Sequence, residues 1–272
     1  MQKRFGRALI PGLAVLLAVA GCSSGAEKDD DGRDGAKQSR GGQSSAGQSS
    51  AGQSSAGQGG AGQAVIPLKN PDGTKPGLAP VTTKTDRVAA ERLIGQLVTK
   101  GRGPRTGYER DKFGYAWMDT ADGVPLARNG CDTRNDLLRR DGQELRFRSG
   151  SDCVVVAMTL HDPYTGKTIE WRKEKAAEVQ IDHVVPLSYS WQMGSSRWPK
   201  SKRQQLANDV LNLIPVDGRA NSSKGDSGPA SWLPPDTSIR CAYAVRFAQV
   251  ALKYEIPVTA ADQRMMRQQC AG

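Results

Sequence analysis

Apolar positions change period along the chain. Val88, Leu93, Ile94, Leu97 and Val98 recur at helical spacing, which predicts an amphipathic helix over 86–99. Residues 153–160 are β-branched and apolar, and 168–171 form a second short run. Between them Asp162-Pro163-Tyr164-Thr165-Gly166 is a turn, so the pair predicts a hairpin. A strand over 179–185 is closed by Pro186. Residues 201–207 predict a helix with a basic face, 210–216 another strand, and a short helix opens at Arg219. Helices follow over 241–254 and 259–269. Both periods in one chain predict a mixed α+β fold. The domain expected over 82–272, roughly 190 residues, is long enough for one well-formed core.

The front of the chain has neither period. Lys3, Arg4 and Arg7 precede a short apolar run over 9–20, the pattern of a secretory signal peptide spanning 1–21. Val19-Ala20-Gly21-Cys22 resembles a bacterial lipobox, which implies cleavage before Cys22 and acylation of its sulfur. An incidental cysteine behind an ordinary signal is the plain alternative. The expected location is therefore the outer face of a bacterial membrane, or the medium. Residues 44–58 repeat S-S-A-G-Q three times, and 22–81 as a whole predicts a disordered tether. After residue 22 no apolar run reaches 18 residues, which excludes a polytopic membrane protein. Heptads and long structural repeats are absent too, which excludes coiled coils and solenoids.

Charge and cysteines sharpen this picture. The net charge is +10. Without the signal and 23–63, the remainder has 31 basic and 23 acidic residues, a surplus of 8 that suits a polyanionic partner without identifying it. Two His and five Cys exclude a His-rich metal site or a zinc-ribbon array. Cys131, Cys153, Cys241 and Cys270 remain in the domain, and export implies two disulfides. Three pairings are possible, with Cys131–Cys153 and Cys241–Cys270 favoured as neighbours in sequence.

The chemistry concentrates in 179–235. Asp182-His183 ends an apolar strand, where adjacent side chains face opposite ways unless the chain bends. Asn212 lies in the second apolar strand. Asn221 and Lys224, three apart, share one face of a helical turn. Strand with Asp-His, strand with Asn, helix with Asn-x-x-Lys: this order resembles the HNH, or ββα-metal, nuclease motif in a variant whose last His is Asn. Trp191, Trp198, Ala207-Asn208-Asp209 and Trp232-Leu233-Pro234-Pro235 resemble its exported bacterial branch, as do Gly130-Cys131-Asp132-Thr133-Arg134 and 162–166. The resemblance covers roughly 105–235 and implies a ββα-metal core with added helices and a hairpin.

Phosphodiester hydrolysis needs a deprotonated water and a cation beside the phosphate. By the resemblance, His183 is the general base, Asp182 and Asn221 ligate Mg²⁺ or Mn²⁺, and Asn212 orients the histidine or ties the loop. Lys224 is a candidate for a phosphate or the metal-bound water. Lys200, Lys202 and Arg203 form a basic cluster near Trp198 and are candidates for nucleic-acid contact, as is Arg134. A solvated helix face is the alternative for the cluster, a buried ion pair with Asp132 for Arg134. His161, Asn208 and Asp209 read as turn residues. The implied function is an exported, lipid-anchored, metal-dependent endonuclease acting on DNA, with RNA as a second substrate, expected as a monomer. The rival is a noncatalytic lipoprotein that grips nucleic acid or another anionic polymer on the same scaffold.

Overall fold

The computed structural model describes residues 63–271. The signal peptide, Cys22 and the tether to residue 62 lie outside the described residues. The elements are α1 (Lys84–Gly95), α2 (Thr133–Asp141), β1 (Gln143–Phe147), β2 (Val155–His161), β3 (Thr168–Arg172), β4 (Val179–His183), α3 (Leu187–Gln192), α4 (Lys200–Asn208), β5 (Leu213–Asp217), α5 (Gly218–Lys224), α6 (Arg240–Tyr254) and α7 (Ala260–Cys270). The fold is mixed α+β, as the two periods predict.

β1, β2 and β3 form an antiparallel sheet in that order. The predicted hairpin is β2–β3, paired from Ala157↔Arg172 to His161↔Thr168. Its turn is held by the Asp162 carboxylate, which accepts the N–H groups of Tyr164 and Thr165. β4 and β5 pair separately and antiparallel, from Val179↔Asp217 to His183↔Leu213. α5 follows at once, because the Asp217 carboxylate caps its first turn at the Ala220 N–H. Gly218 allows this tight start: a Cβ there would lie 2.0 Å from the Ala177 carbonyl oxygen.

The β4–β5 pair separates two apolar clusters. Val179, Ile181 and Leu213 pack with Leu137, Leu138, Val155 and Trp171. Ile214 and Val216 face the larger core, built on α6 through Ala242, Val245, Phe247 and Val250. Burial on both faces explains why β5, L-I-P-V-D, reads as a nearly continuous apolar run. Disulfides join Cys131 to Cys153 and Cys241 to Cys270, the favoured pairing.

Four expectations change. The tether expected to residue 81 ends earlier: Leu78 and Val81 are buried, and Asn70 is sealed by bonds to Lys75. α1 stops at Gly95, and Val98 lies 70% exposed beside a bridge from Thr99 to Val258. β5 starts at Leu213 and leaves Asn212 outside it, since Asp209 turns the chain by accepting the Leu211 N–H. α2, β1 and α3 appear where no element was predicted.

Candidate active site

Alternation along β4 sends Asp182 and His183 to different surroundings. The His183 ring packs parallel to Trp117, with centroids 6.2 Å apart. Its Nε2 lies 3.0 Å from the Ala207 carbonyl oxygen at the end of α4. A carbonyl only accepts, so Nε2 carries the proton and Nδ1 of the neutral ring keeps its lone pair. Burial, helped by the Arg110 charge, lowers the His183 pKa to about 3, against the carbonyl that favours the charged form. The ring is thus neutral at ordinary pH.

Asn212 holds the chain just after this histidine. Its Oδ1 accepts the Val185 N–H at 2.8 Å, and its Nδ2 donates to the carbonyls of Val185 and Leu206. Its backbone carbonyl also accepts the Val184 N–H. Asn212 therefore ties the His183 loop to the α4–β5 turn and is itself fully buried.

Asp182 faces α5. Lys224 Nζ lies 2.8 Å from both Asp182 carboxylate oxygens and 2.7 Å from the His183 carbonyl oxygen. Tyr164 donates its hydroxyl to Asp182 Oδ2 at 2.5 Å. The ion pair is sealed, with side chains 0% and 6% exposed for Lys224 and Asp182. Burial pulls the Lys224 pKa down while Asp182 opposes it, and burial raises that of Tyr164 well above the usual phenol, so the hydroxyl remains a donor. Asn221, one helical turn earlier, donates its amide to Gln180 Oε1 at 2.9 Å.

These positions bear on the expected Mg²⁺ or Mn²⁺. Among the described residues no three His, Cys, Asp or Glu group together as a metal cluster. The donors on this face are a carboxylate, a carbonyl and an amide, hard oxygens that fit such an ion. Three of these oxygens already converge on a positive charge, that of Lys224.

The remaining candidates are spread out. Lys200 is exposed at the first residue of α4. Lys202 lies 4.5 Å from the Trp198 ring centroid and 3.4 Å from Glu255. Arg203 donates to the carbonyls of Lys112 and Trp198, and Arg134 to that of Val179. Both arginines thus brace the fold from within. His161 sits at the exposed end of β2, against Thr168. Asp209 is fully buried between Lys253 and Tyr254, and Asn208 donates to Gln204. Asp132 caps α2 at the Asn135 N–H. Sequence reasoning assigned no role to Trp117, Tyr164, Arg110 or Gln180. Of these, only Tyr164 carried a signal, an aromatic side chain inside a five-residue polar turn.

A family model for the C-terminal domain of GmrSD restriction endonucleases matches residues 132–269. The chain belongs to this family. The match takes in every element from α2 to α7, hence Asp182, His183, Asn212, Asn221 and Lys224. The chain is also 40% identical over 176 residues to an uncharacterized secreted protein of Arthroderma benhamiae, across 64% of this chain and 79% of that protein.

Proposed function

We propose that this chain is an exported, lipid-anchored HNH endonuclease that hydrolyses phosphodiester bonds of DNA, with RNA as a second substrate. The observation that carries the reading is the His183 ring. Its Nε2–H faces the Ala207 carbonyl, which leaves the Nδ1 lone pair of the neutral ring to act as the base. Nδ1 takes a proton from water, the hydroxide attacks phosphorus, and the bond to the 3′-oxygen breaks. Asn212 keeps the His183 loop in register with α4, the helix that supplies the carbonyl. Mg²⁺ or Mn²⁺, held by Asp182 and Asn221, would neutralise charge on the phosphate and the leaving oxygen. The surplus of basic residues and the exposed Lys200 favour a polyanionic substrate. Membership of a restriction-endonuclease domain family supports the nuclease chemistry, and a relative described as secreted supports export.

The test is cleavage of plasmid, single-stranded DNA and RNA with Mg²⁺, Mn²⁺ or EDTA. His183→Ala should lose roughly 10²–10⁴-fold in rate, the usual weight of a general base. Its gel-shift affinity should match wild type. A fully active His183→Ala enzyme removes the base from the scheme. Wild type that binds but never cleaves leaves a noncatalytic binder. The anchor is tested at Cys22: detergent phase separation should retain the wild type and release Cys22→Ser, since two or three acyl chains hold stably. Equal partitioning of the two refutes acylation.

A further inference from the structure

We propose that Lys224 is the built-in occupant of the cation pocket at Asp182, so that a divalent ion reaches this carboxylate only by displacing the Lys224 ammonium. The metal named here rests on the nuclease reading, whereas the pocket rests on geometry alone.

Each of the three ammonium protons has one acceptor: Asp182 Oδ1 and Oδ2 at 2.8 Å and the His183 carbonyl oxygen at 2.7 Å. Such a nest of oxygens around one point is what a hard cation requires. Mg²⁺ takes oxygens at about 2.1 Å, so an ion centred among these three would overlap the Lys224 nitrogen. The two cations exclude each other. A buried carboxylate without a counter-charge is strongly unfavourable. Lys224 supplies that charge in the cation-free fold, and Tyr164 fixes the carboxylate rotamer through Oδ2. Lys224 ends α5, and its side chain is enclosed by Asp182 and β4. Asn221 lies three residues earlier on the same helix face. Withdrawal of the Lys224 side chain therefore opens the face that carries the second expected ligand.

A state that must first expel its own cation binds metal with reduced apparent affinity, and removing the competitor removes that penalty. The experiment is titration of the mature full chain with Mn²⁺, followed by the electron paramagnetic resonance of the free ion. Lys224→Met should bind Mn²⁺ at least about tenfold tighter than wild type, the size expected if the open state is a minor one. Lys224→Met with Asp182→Asn should lose that gain. An affinity of Lys224→Met equal to or weaker than that of wild type overturns the proposal. So does a gain that survives Asp182→Asn. If Lys224→Met does not fold, the wild type decides through the ¹⁵N signal of its buried ammonium. A Lys224 signal that moves to a solvent-exchanging position during a Mg²⁺ titration supports displacement, and one unchanged throughout overturns it. Plasmid cleavage is scored separately, so an inactive protein refutes the nuclease reading while the metal titration still decides this one.

Discussion

Asp136, far from Asp182 and His183 in sequence, shows what this fold does to a single carboxylate. It is buried in α2, and burial raises its pKa to about 6, with Asp132 and Asp119 adding to the shift and Asn129 and Arg139 opposing it. The folded state then keeps a proton that the unfolded chain releases near pH 3.8. Between those values the folded state binds more protons, so stability falls as pH rises through the window and stays low above it. Asp136→Asn keeps an oxygen for the Asn129 amide and removes the titration. It should raise the melting temperature near pH 8 and leave it unchanged near pH 3, below both pKa values. A pH-independent gain would show that charge is not the cause. The same scale shows which parts of the site can be read from sequence. Asp182 and His183 stand out because two polar residues interrupt an apolar strand. The partner of Asp182 does not, because Lys224 meets it across 42 residues, and only the packing of α5 on β4 brings them together. Trp117 reaches His183 from a glycine-rich stretch without periodicity, where no pattern could place it.

Elements with a clean period are legible, and those without one are not. β2, β3 and α6 fall where their apolar runs predict. α2 is T-R-N-D-L-L-R-R-D, with only Leu137 and Leu138 to mark a face, and it is recognisable mainly by the Asp132 cap. α3 is six residues long and almost wholly buried, and its Leu187, Tyr189 and Trp191 alternate with polar residues, a period of two that marks no helix face. The missed α2 matters, since it links a disulfide to the site. Cys131 is bonded to Cys153, and two residues later Thr133 holds the loop above His183 through the carbonyls of Trp117 and Met118. Cys241–Cys270 instead clamps α6 to α7 inside the large core. Each bridge closes a loop of similar length, 22 and 29 residues apart, so replacing either pair by Ser should cost about 3 kcal/mol. Only Cys131→Ser/Cys153→Ser should also slow cleavage well below the melting temperature, because it frees Trp117. Urea denaturation and plasmid cleavage measure the two effects. Equal cleavage by both double variants would disconnect the loop from His183.

The molecule as a whole is a nuclease-family domain with a strap where a free tether was expected. Residues 63–81 lack periodicity and are rich in Gly and Pro, so composition alone marks them as linker. Their contacts are single, long-range and backbone-directed, a type that no local pattern reveals. Gln249 donates to the Pro67 carbonyl, Arg140 to that of Gly73, and the Gly77 N–H reaches Asp141. Gly73 packs so closely on Leu211 that a Cβ there would lie 2.4 Å from its Cα, just before Asn212. Leu78 and Val81 complete the core beside α1 and α6. A chain starting at Gln63 should therefore be as stable as the full chain. One starting at Thr82 should lose the burial of Leu78 and Val81, roughly 1.5–3 kcal/mol each. It should also strand the buried Arg140 donor to Gly73, for about 1–3 kcal/mol more. Because Arg140 also grips the carbonyls of Val210 and Leu213 on either side of Asn212, the shorter chain should lose cleavage before it unfolds. Urea midpoints and cleavage rates of the two chains test this. A chain starting at Thr82 with the stability and rate of one starting at Gln63 would return residues 63–81 to the tether.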